Sequence, residues 1–134
     1  MTNDEYKLPM EHIARRGSAS QLHIKSKSFA VDIVKMVKQN NDFRLNSLFQ
    51  QVLRSSTSIH ANIRESEYAQ SPADFISKLS ISRKEANETL GWLVILKDSQ
   101  SMDDVWFERL YPLCNELVSM LTASIKTTQL NNNL

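Results

Sequence analysis

Between residues 43 and 68 the side chains Leu45, Leu48, Val52, Ser56, Ile59 and Ile63 advance by 3, 4, 4, 3 and 4 positions. That is the period of one face of an α-helix; a strand, whose faces alternate every second residue, cannot present this line to a core. Three other stretches repeat the pattern. Phe29, Ala30, Ile33, Val34 and Val37 predict a helix over about Ser28–Gln39, closed by the turn-forming Asn40-Asn41-Asp42. Phe75, Leu79, Ser82, Ala86, Leu93 and Leu96 predict a third helix ending near Lys97. Its start is marked by Ser71 as cap, Pro72 in the first helical position and Asp74 beside the unsatisfied amides. Phe107, Leu110, Cys114, Leu117, Leu121 and Ile125 predict a fourth, begun by Ser101-Met-Asp-Asp104 and kinked at Pro112, which removes a backbone donor.

Two glycines and three prolines in 134 residues leave little punctuation for many short strands. Four amphipathic helices with short connections predict an all-α fold, an antiparallel up-down-up-down four-helix bundle over residues 26–128. Residues 1–25, interrupted by Pro9 and Gly17, read as a flexible N-terminal tail with at most a turn near Met10–Arg15, and 129–134 as a frayed C-terminus. No N-terminal apolar run resembles a signal peptide, no stretch approaches the roughly 18 apolar residues of a membrane span, and the single cysteine forms no disulfide framework. A cytoplasmic protein with no membrane contact is the expectation. Net charge is +1, with ten basic and seven acidic side chains in 1–70 against six and eight in 71–134. The balance does not announce a nucleic-acid binder.

Some polar residues fall where packed helices show apolar ones. Arg54 and Asn62, eight residues apart, share a face of the second helix near Ile59 and Ile63, and Glu88 on the third lies between Ala86 and Thr89. A buried charge needs a partner, so Arg54 and Glu88 are expected to pair across the two helices, with Asn62 bonded into the cluster. Such a cluster fixes helix register; the alternative is a polar ligand pocket. Catalysis finds no support. His12, His23 and His60 share no helix-face spacing, and two of them sit in or beside the tail. Cys114 lies on an apolar stripe, where a thiol is packing, and Glu65 and Glu67 at i, i+2 cannot face one another. There is no metal set, phosphate-cradling glycine loop or catalytic triad, and hence no enzyme, cofactor or small-molecule substrate is expected.

Two segments carry a resemblance. Leu53-Arg54 is followed by Ser58-Ile59-His60-Ala61-Asn62-Ile63 and Glu65; Phe75, Leu79, Lys84-Glu85-Ala86-Asn87-Glu88-Thr89 and Trp92-Leu93 come next in register. The chain from about 26 to 127 resembles the bacterial four-helix-bundle family associated with intervening sequences in large-subunit rRNA genes, often labelled S23 ribosomal proteins. His60 stands where that pattern has proline, Ser66 where it has glycine, and Gly91 where a larger residue is usual. The resemblance implies a bundle assembled into a homopentameric ring. One related branch serves as accessory protein to diversity-generating retroelements, but it is markedly basic and this chain is not.

Apolar residues remain after each helix is given one core stripe. Trp92 to Leu96 covers a whole helix circumference, and Trp106, Leu113 and Met120 form a second line on the fourth helix. Trp92, Ile95, Trp106, Leu113 and Met120 are therefore candidate contacts to another subunit. The leading expectation is a non-enzymatic oligomeric interaction protein. The alternative is an accessory protein that binds RNA or DNA, for example an rRNA-, ribosome- or retroelement-associated factor, through Lys27, Lys35, Lys38, Arg44 and Arg64; a ring would multiply that modest patch.

Overall fold

A computed structural model describes residues 17–134. Its elements are α1 (Gly17–Lys38), a 3₁₀ turn at Phe43–Leu45, α2 (Asn46–Ser66), α3 (Pro72–Asp98) and α4 (Asp104–Asn131). Among the described residues there is no strand. The connections are short, so consecutive helices run antiparallel. α1 packs on α2 and α4, α3 packs on the same two, and no Cα atom of α1 comes within 8 Å of one in α3. They occupy diagonal corners of a four-helix bundle.

The core holds Phe29, Ile33, Phe49, Val52, Ile59, Ile63, Leu79, Leu93, Leu110, Leu117 and Leu121, each at most 3% exposed. α2 and α3 meet most extensively because small residues line their seam. Ser55 Oγ lies 2.8 Å from Thr89 Oγ1, and Ser82 Oγ donates to the Ile59 carbonyl at 2.8 Å. Buried hydroxyls thus find partners in reach and leave the backbones close.

Local signals place the ends of α3 as expected: Ser71 Oγ accepts from the Asp74 amide at 3.0 Å and Pro72 opens the helix. The cap of α4 is Asp103 rather than Ser101, its carboxylate accepting from the Val105 amide at 3.0 Å. α4 then continues as one helix past Pro112 to Asn131, three residues into the stretch 129–134 expected to fray. The α3–α4 turn closes with Gln100 in the left-handed region (φ 56) and the Ser101 amide bonded to the Leu96 carbonyl at 2.8 Å. This is a Schellman-type C-cap built without glycine.

α1 is longer than its predicted extent. It begins at Gly17, and Leu22 and Ser26 are fully buried in line with Phe29, Ile33 and Met36. The supposed tail is therefore helix from residue 17 onward, while the expectation for residues 1–16, including the turn at Met10–Arg15, lies outside the described residues. Val34, assigned to the core stripe, is 40% exposed, and Met36 takes the inward position. No described helix is long and apolar enough to cross a membrane.

Candidate interaction surfaces

The predicted pair forms, but on the surface. Arg54 Nη2 contacts Glu88 Oε2, Nη1 reaches Glu85 Oε2 at 3.1 Å, and Nε donates to Gln51 Oε1 at 3.2 Å. The Arg54 side chain is 47% exposed and that of Glu88 38%. Trp92 Nε1 also donates to Glu88 Oε2 at 3.0 Å. Asn62 is not a member: its amide caps the turn above it, donating to the Ser58 carbonyl at 2.8 Å. What was expected as a buried lock is a solvated strap across the α2–α3 seam, made by Arg54, Glu85, Glu88, Gln51 and Trp92.

The buried polar cluster lies elsewhere, between α1 and α2. His23 and His60 approach edge to face with ring centroids 5.0 Å apart. His23 Nδ1 is 3.1 Å from Oε1 of Glu67, which is 1% exposed. Ser26 Oγ lies 3.2 Å from the His23 carbonyl and 2.9 Å from His60 Nδ1. A carbonyl can only accept, so when the Ser26 hydroxyl donates to the His23 carbonyl, His60 Nδ1–H is the donor to Ser26; in the other His60 tautomer the hydroxyl donates to Nδ1. Burial holds His60 down to about 4, helped by His23, Arg64 and Lys27. Burial also lowers His23, with Arg64 and Lys27 adding to it, and this outweighs the nearby carboxylate. Both rings are neutral near neutral pH. Ser26 is fully buried, so the Ser26–His60 contact presents no accessible nucleophile. His23 was taken to sit beside a tail; once α1 extends upstream, it faces His60.

Cys114 is buried, donates to the Ala86 carbonyl at 3.4 Å, and has its thiol pushed by burial up to about 12. It is packing, not a thiolate. Among the described residues no three His, Cys, Asp or Glu side chains are placed to hold a metal ion.

Five cations were singled out, and the structure does not unite them. Lys27, Lys35 and Lys38 are exposed on the outer side of α1. Lys27 and Lys35 border a groove of about 520 Å³ toward Arg109 on α4. Arg109 Nε in turn holds the nearly buried Asp32 at 3.0 Å, and Lys25 contacts Glu116, so α1 is clamped to α4 at two levels. Arg64 is on α2, near enough to act on both histidines. Arg44 is committed to Asp42, with Nη2–Oδ2 at 2.8 Å and Nε–Oδ1 at 2.9 Å.

Of the candidate subunit contacts, Trp92, Trp106, Leu113 and Met120 are half-buried against the protomer's own core. Trp106 Nε1 donates to Gln39 Oε1 at 2.9 Å and borders a cleft of about 770 Å³ between the α1–α2 and α3–α4 turns. Ile95 is 48% exposed, and Ile81 and Val94 join it on the outside of α3. A methyl group added at Gly91, one turn before Ile95, would meet no atom within 4 Å. Gly91 therefore serves no close approach inside this bundle. Sequence spacing missed a second apolar face altogether, made by Ile24, Val31 and Val34 on α1.

The profile of the 23S rRNA-intervening sequence protein family matches residues 19–123. Among solved structures, the chain is similar to a protein of unknown function from the S23 ribosomal protein family of Bacteroides thetaiotaomicron. The two are 41% identical, the match covers 81% of this chain and 98% of the other, and the TM-score is 0.73. Among curated proteins there is no match.

Proposed function

The chain belongs to the 23S rRNA-intervening sequence protein family, and from that premise we propose that it is a non-catalytic interaction protein that works as a homo-oligomer. The observation that carries this reading is the outer side of α3. There Ile81, Val94 and Ile95 stand exposed, Gly91 leaves an open notch, and Trp92 keeps an outer edge. Surplus apolar surface on one helix favours burial against another protomer. In a ring, that side of one protomer meets a different face of the next, and five copies is the number the family resemblance implies. The nucleic-acid alternative draws less support, because Arg44 is tied to Asp42 and the lysines of α1 are interleaved with aliphatic side chains.

Light scattering at micromolar concentration tests the assembly. The expected mass is a multiple of 15.4 kDa, five-fold for the ring. Ile95→Asp, a surface change that leaves the core intact, is expected to release monomers with unchanged helical circular dichroism. A wild-type mass of one protomer overturns the reading.

A further inference from the structure

We infer that the outer face of α1 is a docking seat for an acidic amphipathic helix of a partner protein. Ile24, Lys27, Val31, Val34 and Lys38 advance by 3, 4, 3 and 4 positions along the solvent side of the helix. That is the a/d spacing of a coiled-coil seam, about two heptads or roughly 21 Å long. Ile24 is 56% exposed, Val31 44% and Val34 40%, although all three are aliphatic and β-branched. Lys35 lies beside the seam at the position that in paired helices meets the partner's charges.

Three arguments select the occupant. First, the spacing is helical: the exposed aliphatics lie in a line that a second helix covers by knobs-into-holes packing, whereas an extended peptide needs an unpaired sheet edge and none exists among the described residues. Second, the charge on the face is positive. Asp32 is engaged by Arg109, Glu116 by Lys25 and the buried Glu67 by His23, while Lys35 and Lys38 stand exposed on this side of α1 and give it a positive sign. A second copy of the same face would bring lysines against lysines, so an isologous α1–α1 pairing is disfavoured. Third, phosphate recognition has no use for aliphatics between the cations. An RNA backbone would leave Ile24 and Val31 unburied, while an apolar seam flanked by glutamates satisfies both kinds of residue at once.

The seat is also pre-organised. The Asp32–Arg109 and Lys25–Glu116 contacts hold α1 on α4 from the side adjoining the groove, so docking does not have to order the helix first. Two heptads give modest affinity, which several copies in one assembly would raise through avidity. Docking requires that the α3 side of a neighbouring protomer not occupy this seat, so acidic-peptide binding by Ile95→Asp but not by the assembled wild type would overturn the inference in favour of a second copy.

Fluorescence anisotropy with the full chain tests it. The probes are a labelled three-heptad peptide with leucine at a and d and glutamate at e and g, the same peptide with lysine at e and g, and a short single-stranded RNA. The acidic peptide is expected to bind and the basic one not. Val31→Asp should weaken binding by about tenfold or more, because it removes the seam. The double charge reversal of Lys35→Glu and Lys38→Glu should weaken it and let the basic peptide bind instead. Circular dichroism of each variant, changed only at exposed positions, confirms folding. No binding of the acidic peptide at about 100 μM overturns the inference, since that is weaker than a specific seam of this kind should be. So does RNA binding that the lysine reversals abolish and Val31→Asp leaves intact, which would mark a phosphate surface.

Discussion

At Arg54 the value of an ion pair is decided by water. The guanidinium meets Glu85 and Glu88 in good number, yet both Arg54 and Glu88 are more than a third exposed. Exposed pairs contribute about 0–1 kcal/mol, against about 3–5 kcal/mol lost when one member of a buried pair is removed. Glu88→Ala should accordingly shift urea unfolding by about 1 kcal/mol or less, part of it from the Trp92 indole losing its acceptor. Sequence spacing did identify the two partners, because Arg54 near Ile59 and Ile63 and Glu88 between Ala86 and Thr89 each stand beside a core stripe, whereas the i, i+8 relation that drew in Asn62 misled. It could not fix how far past the seam the side chains reach, which depends on how close α2 and α3 come, and that is set by Ser55, Ser82 and Thr89.

His60 carries the opposite balance. Its ring is neutral when folded and titrates near 4, against 6.5 in an ordinary environment. Above pH 6.5 folded and unfolded chains are both unprotonated, and the stability associated with this group is complete. Between 6.5 and 4 the unfolded chain takes a proton that the folded one refuses, so stability falls with pH and the loss is complete below about 4. The full difference corresponds to about 3 kcal/mol as an upper bound. Denaturation at about pH 7 and about pH 4.5 should cost the wild type roughly 2 kcal/mol more than His60→Gln, which does not titrate. An equal loss in both proteins would place the acid sensitivity elsewhere.

Among the elements, α3 was legible and α1 was not, for a local reason. Ser71 and Asp74 act through hydrogen bonds within one turn of chain and Pro72 through its fixed φ, so their meaning survives without knowledge of neighbours. The start of α1 has no such signal. Gly17 and the serines after it read as breakers, and the true stripe of Leu22, Ser26, Phe29, Ile33 and Met36 contains a serine that only the His60 contact explains. The predicted stripe shares Phe29 and Ile33 with it but ran on through Val34, which is exposed, and did not include Met36, which is buried. Gly91 poses the converse case, a weak helix former in the middle of a 27-residue helix with nothing crowding it. Gly91→Ala should stabilise the isolated protomer by about 0.5–1 kcal/mol. If the notch receives a neighbouring protomer, the same change should lower the assembly's mass in dilution light scattering, so a variant more heat-stable yet more easily dissociated is the expected outcome.

For the whole molecule, the antiparallel bundle follows from four stripes and three short connections, both readable along the chain. The surfaces were harder, because an apolar residue left over from one stripe is not thereby exposed. Trp92, Trp106, Leu113 and Met120 all lean on the core, and only Ile95 among the five stands well out. The faces that do reach solvent are set by which corner each helix occupies. α1 and α3 sit across the diagonal with their Cα atoms more than 8 Å apart. Changes confined to separated, non-contacting sites add in free energy to within a few tenths of a kcal/mol. Substitutions on the outer face of α1 and on the outer face of α3 are therefore expected to add in their effect on unfolding free energy, so the two faces can be altered one at a time on one frame.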